Sequence, residues 1–374
     1  MTTQRPVATD PVAHLVRHRP DAPVFFFRPG TLAATARLFA GGFPGQVTYA
    51  IKANPAPEIL ATLAASGIAA FDVASPQEMR AVRTVCPRAV LHYNNPVRST
   101  GEIAEARRLG VRSWSVDRVS ELEKLGPLDE THEVSVRLRL PVAGAAYDFG
   151  AKFGADPELA AELLARVAAM GAVPSMTFHP GTQCPDGAAW ARYIHAAAEV
   201  AERAGVRLAR LNVGGGFPAH RDSAAPDLGA IFAAIREAAE QAFDTQPVLL
   251  CEPGRAMVAD AVTLAVRVKA VDDGAITLND GVYGAFGEWR DLPAMSRVSV
   301  VAPDGTPRTG DASARIVFGP TCDSLDRLPH PLELPADLAE DDYVLIEGMG
   351  AYGAALVTGF NGYGTREVVT LGID

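Results

Sequence analysis

The chain has 374 residues, of which 48% are hydrophobic and 21% are charged, and its formal net charge at pH 7 is −10. This length and composition predict a globular protein with room for two domains, and the acidic balance argues against a nucleic-acid partner. The four cysteines form no CxxC pair, so neither a zinc site nor a disulfide framework is indicated.

The amino-terminal stretch begins Met-Thr-Thr-Gln-Arg-Pro and contains no continuous apolar segment. No signal peptide and no membrane span are recognisable, so a cytoplasmic protein without a membrane partner is expected. The first distinct element is the apolar run Val24–Phe27, which we predict to be a strand.

From about residue 30 the sequence alternates short apolar strands with Ala-rich amphipathic helices. The predicted helices include Pro57–Ser66, Pro76–Val85, Thr100–Leu109, Pro157–Met170, Gly187–Ala204 and Leu228–Phe243. The predicted strands are Val47–Ile51, Ala69–Val73, Ala89–Tyr93, Arg112–Val116, Val134–Leu140, Pro174–Phe178, Leu208–Val213 and Pro247–Cys251. Such alternation predicts a parallel sheet, and eight units in about 220 residues favour a closed (β/α)8 barrel over an open sheet.

A barrel carries its functional residues at the carboxyl ends of its strands. Polar or glycine-rich groups stand at the predicted strand ends, namely Lys52, Asp72, Asn94, Asp117, Arg139, His179, Gly214–Gly216 and Glu252–Arg255. This concentration at one end favours an active site there.

After Arg255 the pattern changes to strands separated by turns. The predicted strands are Val262–Val271, Ala275–Asn279, Ser296–Val301, Ala314–Phe318, Tyr343–Ile346 and Glu367–Leu371. We therefore expect a barrel over residues 29–255 and a β-rich, sandwich-like or barrel-like domain formed by residues 1–28 and 256–374, which the amino-terminal strand joins.

Lys52 follows the apolar strand in the segment Tyr49–Asn54. Desolvation at such a position disfavours the charged ammonium and makes the amine a better nucleophile, as Schiff-base chemistry requires. The alternative is a lysine whose amine merely reaches solvent from a strand end.

Two loops suggest a phosphate site. Gly214–Gly216 follow the seventh strand and Glu252–Arg255 follow the eighth, where barrels often bind phosphate. Either loop could instead be a tight structural turn. Glu252 could also pair with a pyridinium nitrogen or form an ordinary salt bridge.

Three further residues have open interpretations. His179 could be a stacking ring, a general base, a metal ligand or a core histidine, and metal is disfavoured because no second histidine has suitable spacing. Cys322, beside Asp323, suits proton donation better than nucleophilic attack, or it is a small buried residue. Tyr352 could reach a phosphate or could pack in the core.

Together these residues resemble the fold-type III pyridoxal-phosphate decarboxylases, and specifically the ornithine/lysine decarboxylase branch. The resemblance covers most of the chain and rests on nine ordered motifs: YAIKAN, FDVAS, KFGA, FHPGTQC, GGGFP, EPGR, NDGVYGAF, GPTCDSLD and MGAY…FNGY. It implies pyridoxal 5'-phosphate as cofactor, a small amino-acid substrate, polyamine biosynthesis as context, and a homodimer with shared active sites.

The resemblance also implies roles for individual residues. Lys52 would hold the cofactor covalently, His179 would stack on its ring, and Glu252 would contact the pyridine nitrogen. Further cofactor contacts are implied for Asp72, Arg139, Thr182, Gly215, Gly216, Gly254, Arg255 and Tyr352. Cys322 and Asp323 would come from the partner subunit, and substrate binding is implied for these two with Tyr283, Asp291 and Phe360.

The chain departs from the family after Tyr283. Ornithine decarboxylases of the family carry an aromatic-Asp pair about nine residues beyond this tyrosine to receive the distal amine of the substrate. Asp291 stands one residue early, and Arg290 beside it is unexpected for a cationic ligand.

Several activities therefore stay open. The expected reaction is decarboxylation of a basic L-amino acid, ornithine before lysine. Diaminopimelate, arginine or a specialised diamino acid is an alternative substrate, although Asp323 stands where diaminopimelate enzymes usually have Glu. An amino-acid racemase of the same fold usually has an arginine where Glu252 stands. A non-catalytic protein like antizyme inhibitor is disfavoured because Lys52, Glu252, Arg255 and Cys322 are all present.

Overall fold

The computed structural model describes residues 7–8, 10–140, 152–222, 224–364 and 367–372. The first six residues, where the sequence indicates no signal peptide, lie outside the described residues. The chain divides into a barrel unit, Thr35–Pro218 with Pro226–Gly254, and a sheet unit, Met1–Ala34 with Ala219–Ala225 and Arg255–Asp374. The domain boundaries at residues 29 and 255 stay a prediction from the sequence.

The strands are β1 (Val7–Ala8), β2 (Val24–Phe27), β3 (Gln46–Val47), β4 (Tyr49–Ala50), β5 (Ala70–Val73), β6 (Val90–Tyr93), β7 (Ser113–Val116), β8 (Glu133–Leu138), β9 (Val173–Phe178), β10 (Arg210–Asn212), β11 (Val248–Cys251), β12 (Val262–Asp272), β13 (Ala275–Leu278), β14 (Val298–Val301), β15 (Ala312–Phe318), β16 (Leu332–Pro335), β17 (Tyr343–Ile346) and β18 (Val368–Leu371).

The α-helices are α1 (Pro11–His18), α2 (Pro29–Gly42), α3 (Pro57–Ala65), α4 (Pro76–Val85), α5 (Thr100–Arg108), α6 (Val119–Lys124), α7 (Pro157–Ala169), α8 (Ala188–Ala204), α9 (Leu228–Ala242), α10 (Arg255–Val258) and α11 (Gly353–Leu356). The six helices predicted from sequence end within one residue of these bounds. Their starts are well specified: Ser75, Ser99, Asp156 and Asp227 each accept a backbone N–H of the first helical turn.

The barrel unit is a closed parallel sheet, which confirms the predicted fold class. Its strand order is β4-β5-β6-β7-β8-β9-β10-β11-β3, and only Thr48 separates β3 from β4. The predicted strand Val47–Ile51 is thus one barrel strand in two halves: β3 pairs with β11, and β4 pairs with β5. The sheet closes through this strand, so all carboxyl strand ends face the same side.

The sheet unit contains the predicted β-rich domain. Its strands run in the order β1-β18-β2-β12-β13-β15-β16, with β17 joining β12 to β14. Strand β2 lies between β18 and β12. It therefore joins this sheet, as predicted. Strand β16 was not predicted, because Pro331 precedes it and Pro335 is its last residue; an edge position beside β15 tolerates such prolines.

None of the helices in the described part of the chain combines the length and apolar character that crossing a bilayer requires.

Candidate active site

A cavity of about 200 Å³ lies in the barrel unit where the strands end. The structure brings five of the predicted strand-end residues to its wall, Lys52, Asp72, Asn94, His179 and Glu252, together with Arg137. Charged groups of both signs therefore meet in one small space. Within the described ranges, no group of three or more His, Cys, Asp or Glu side chains is arranged to hold a metal ion.

Lys52 occupies a short 3-10 turn, Ile51–Ala53, that follows β4. Ile51 and Ala53 are buried, whereas Lys52 is exposed and lines the cavity. The predicted burial of this lysine is therefore wrong: its apolar neighbours fill the core, whereas its long side chain lines the cavity. A hydrogen bond across the turn fixes its shape: the Tyr49 hydroxyl donates to the Asn54 carbonyl at 3.1 Å.

Glu252 directly follows β11 and is buried. The amide nitrogens of Asn94 and Asn212 both donate to its Oε1, while no described residue donates to Oε2. The carboxyl group is thereby held in one orientation with a free oxygen. Burial raises the pKa of Glu252, and the nearby charge of Asp72 raises it further.

Asp72 lies within β5 and is also buried. Burial raises its pKa, whereas the positive charge of Lys52, the side chain of Asn94 and the charge of Arg137 lower it. Two carboxyl groups thus share the cavity with three basic side chains, Lys52, Arg137 and Lys152, which reduces the cost of burying each charge.

His179 follows β9 at the cavity. Burial lowers its pKa well below the usual value, and the positive charges of Lys52 and Arg137 act in the same direction. The Gly181 N–H donates to Nδ1 at 3.3 Å, which assigns the proton of the neutral ring to Nε2. A neutral ring of this kind suits contact with a planar ligand.

The glycine loop Gly214–Gly216 packs tightly beside His179 and Glu252. A Cβ atom on Gly215 would lie 2.9 Å from the Glu252 carbonyl oxygen and 3.2 Å from His179 Nε2. Gly216 has φ +89°, in the left-handed region. The buried Gly215 N–H has no acceptor among the described residues, as expected of a loop that receives an external anion.

The structure corrects the assignment of the strand-end arginine. Arg139 is exposed, lies beyond the end of β8 and does not line the cavity. Arg137, two residues earlier and inside β8, does so. Thr182 and Gly254 also lie outside the cavity wall; a Cβ atom on Gly254 would be 3.2 Å from the Ala53 Cβ.

The sheet unit holds the other predicted phosphate ligands. Both terminal nitrogens of the buried Arg255 donate to Glu288, and the guanidinium carbon lies 4.9 Å from the centre of the Tyr352 ring. Arg221 Nη1 is 3.7 Å from the same carboxylate. The Nε of Arg255 is buried and has no partner among the described residues. Sequence reasoning missed Glu288, and no local motif marks it.

The predicted substrate residues also lie in the sheet unit. The Tyr283 hydroxyl donates to Asp323 Oδ2 at 2.5 Å, and the Tyr283 and Phe360 ring centres are 4.9 Å apart. The hydrogen bond from Tyr283 lowers the pKa of Asp323, so this carboxyl is an anion at neutral pH. Cys322 is exposed, and its backbone N–H donates to Asn361 Oδ1. Asp291 is exposed and ends the short turn Gly287–Arg290.

Comparisons with known proteins identify the family of this chain. The pyridoxal-binding domain of pyridoxal-dependent decarboxylases matches residues 30–259. Decarboxylase flvG of Aspergillus flavus is 32% identical over 351 residues, covering 87% of this chain and 80% of that protein. Antizyme inhibitor 2 of Xenopus laevis is 30% identical over 341 residues, covering 84% and 73%. The solved structure of lysine/ornithine decarboxylase complexed with putrescine from Vibrio vulnificus has 26% identity and a TM-score of 0.82, covering 98% and 99%.

Proposed function

This chain belongs to the family of pyridoxal-dependent decarboxylases, and on that premise we propose that it converts a basic L-amino acid, ornithine before lysine, to the diamine and CO₂. The observation that carries the proposal is the constellation of Lys52, Glu252 and His179 around one cavity. Each has the chemistry that a pyridoxal-phosphate enzyme needs at that place.

The residues present fit the cofactor. Lys52 would hold the aldehyde carbon of the cofactor. Glu252 Oε2 would contact the ring nitrogen, and the neutral His179 would lie against one face of the ring. The unpaired N–H of Gly215 would meet the phosphate, and from the sequence Thr182, Gly216, Gly254, Arg255 and Tyr352 are further candidates for that role. When bound, pyridoxal phosphate supplies an electron sink for the electron pair that the departing carboxylate leaves.

Glu252 is suited to hold a proton opposite a ring nitrogen. Its raised pKa means that the free oxygen Oε2 gives or takes a proton readily near neutral pH. The two asparagine amides fix Oε1 and so aim Oε2. A racemase, which keeps its ring nitrogen unprotonated, would not need this arrangement.

Proton delivery to the substrate Cα is assigned to Cys322. The α-carboxylate leaves as CO₂, and one proton must replace it at Cα before the diamine is released. Cys322 is exposed in its own subunit, consistent with a role in the active site of a second copy. Four large apolar side chains of the sheet unit are likewise exposed and support a homodimer, namely Leu325, Leu356, Phe360 and Tyr363.

The proposed recognition of a distal ammonium depends on Asp323. This carboxylate stays charged because Tyr283 donates to it. Asp291 is a second candidate, whereas Glu288 is engaged by Arg255. A single carboxylate of this kind suits a substrate with one distal cation and no second carboxylate, which favours ornithine or lysine over diaminopimelate.

A product assay tests the proposal. Purified enzyme with added pyridoxal phosphate would be supplied with ornithine, lysine, arginine and diaminopimelate in L and D forms, and amine and CO₂ would be quantified. We expect putrescine from L-ornithine or cadaverine from L-lysine. Racemised ornithine without CO₂ would instead identify a racemase, and no turnover of any substrate would favour a binding protein like antizyme inhibitor.

A further inference from the structure

The barrel unit has a second cavity, of about 410 Å³, at the other end of its strands. Its wall includes the first residues of four strands: Val90 of β6, Ser113 of β7, Glu133 of β8 and Arg210 of β10. In parallel strands the amino ends lie opposite the carboxyl ends that carry the active site. This cavity is therefore separate from the Lys52 site, and the proposed function gives it no role.

The wall of this second cavity is strongly basic. It contains Arg83, Arg88, Arg112 and Arg210, and Glu133 is its one carboxylate. The chain as a whole carries ten more acidic than basic residues, so four arginines around one cavity run against the overall charge. A basic patch in an acidic protein indicates that its arginines bind a specific anion and do not merely keep the surface soluble.

Glu133 neutralises only one of these arginines. Arg210 Nη1 donates to Glu133 at 2.7 Å, while the Nε of Arg210 is buried without a partner in the described residues. His92, also on the wall, adds no charge, because burial lowers its pKa to about 3. The nearby Asp129 is already bonded to Thr131 and His132.

The remaining three arginines differ in the hydrogen bonds that their side chains form. Arg83 is fixed, since its Nε donates to the Leu109 carbonyl at 2.9 Å and its Nη1 to the Ala89 carbonyl at 2.5 Å. The side chains of Arg88 and Arg112 are exposed and form no hydrogen bond or ion pair with any described residue. Two available guanidinium groups thus stand beside a fixed third one.

We infer that this cavity binds a small phosphate-bearing anion with two or more negative charges. Planar guanidinium groups match phosphate oxygens in pairs, and several of them around one concave wall can surround a diphosphate. The volume lies within the range of small-ligand sites. The site would take its ligand independently of the amino-acid substrate.

The test measures binding of inorganic pyrophosphate to the holoenzyme, desalted so that no free cofactor remains, by titration calorimetry at low ionic strength. The test variant is Arg88→Gln/Arg112→Gln. The matched control is Arg207→Gln/Arg236→Gln, which removes the same charge from two exposed arginines of the barrel unit whose side chains also lack partners among the described residues. All four side chains are exposed, so folding should persist, and thermal unfolding would verify it.

We expect one saturable site per chain, at least about tenfold weaker binding in the test variant, and a change within about twofold in the control. Arg88→Lys/Arg112→Lys, which keeps the charge but not the planar fork, should weaken binding by an intermediate factor. The inference is overturned if the wild type shows no saturable binding, if both glutamine variants lose affinity equally, or if the test variant binds like the wild type.

Discussion

Arg255 and Glu288 form a two-armed ion pair in the sheet unit, with both terminal nitrogens of the arginine donating to the carboxylate. The pair leaves the buried Nε of Arg255 without a described partner. An arginine held in this way can still offer its fixed Nε–H donor, and because the pair is set before binding, little side-chain entropy would be lost on meeting a phosphate.

The first prediction concerns this pair. Glu288→Gln should weaken the affinity for pyridoxal phosphate by about tenfold, equivalent to ~1.4 kcal/mol, because Arg255 loses its fixed orientation. Fluorescence or absorbance titration of the apo enzyme measures it. Glu347→Gln, which removes a carboxylate paired with Arg297 in the same unit, is the control. Tighter cofactor binding in Glu288→Gln would mean that Glu288 competes with the phosphate.

The second prediction separates the two arginines near the end of β8. Arg137→Lys should reduce kcat/KM at least about tenfold, because Arg137 lines the cavity and its planar fork is lost. Arg139→Lys, the matched variant two residues later, should stay within about twofold of the wild type, since that side chain is exposed. Steady-state decarboxylation rates measure both. A larger loss of activity in Arg139→Lys than in Arg137→Lys would support the assignment of Arg139 that was made from sequence.

The third prediction tests the orientation of Glu252. In Glu252→Gln the side chain keeps its shape, and the carbonyl oxygen of Gln can still accept from Asn94 and Asn212, but the amide that replaces Oε2 can no longer give or take a proton. We expect kcat to fall by about 10²–10³, as for the loss of one electrostatic group at a reacting centre. Cofactor content, measured from visible absorbance, should persist. Unchanged turnover would show that Glu252 is only structural.

The fourth prediction concerns pH and the apo protein. Burial raises the pKa of Glu78 to about 7 and that of Asp280 to about 6, and it raises the pKa of Asp72 and Glu252 as well. The folded state therefore holds protons that the unfolded chain has released above its ordinary carboxyl pKa. The unfolding free energy should therefore fall as pH rises from the ordinary carboxyl pKa toward the raised pKa values of these four groups.

Histidines act with the opposite sign, but only at lower pH. His92 and His179 have lowered pKa values, so their contribution rises with pH and is complete above about 6.5. Urea midpoints of the apo protein should therefore decrease between about pH 6.5 and 8. Glu78→Gln should flatten this decrease, whereas Glu237→Gln, at an exposed site, should not. A midpoint that rises over this range contradicts the prediction.

The sequence predicts the barrel and its strand-end residues well, because strand ends are marked by apolar runs that stop at Lys52, His179 and Glu252. It cannot separate Arg137 from Arg139. The two positions are two residues apart, so alternation puts them on the same face, and only the end of β8 at Leu138 decides between them.

Pairs that are distant along the chain were missed for a different reason. Asn212 supports Glu252 from a neighbouring strand, and Glu288 meets Arg255 across 33 positions. Neither contact leaves a local pattern, so only the folded arrangement reveals which polar groups share one carboxylate or one guanidinium. The burial of Lys52 was mispredicted because apolar neighbours in sequence do not fix where a long side chain ends.

The last prediction concerns Cys322 and the dimer together. If Cys322 and Asp323 act in the partner's site, Lys52→Ala and Cys322→Ala chains should each form little diamine alone and regain diamine formation when mixed. In a mixed dimer one site receives both defects and the other receives neither. Random exchange makes half of the dimers mixed, so recovery should approach about a quarter of the wild-type rate for a two-fold arrangement.

The measurement is diamine formation after subunit exchange has been verified with differently tagged chains. Cys86→Ala is the control, because this half-buried cysteine lies in the barrel unit and does not line the Lys52 cavity, and its chain should be active alone. In Cys322→Ala alone the missing donor should send the proton elsewhere, yielding a carbonyl product and pyridoxamine phosphate. Exchange without recovery would show that Lys52 and Cys322 serve the same subunit's site, because every mixed dimer would then hold one defect in each site.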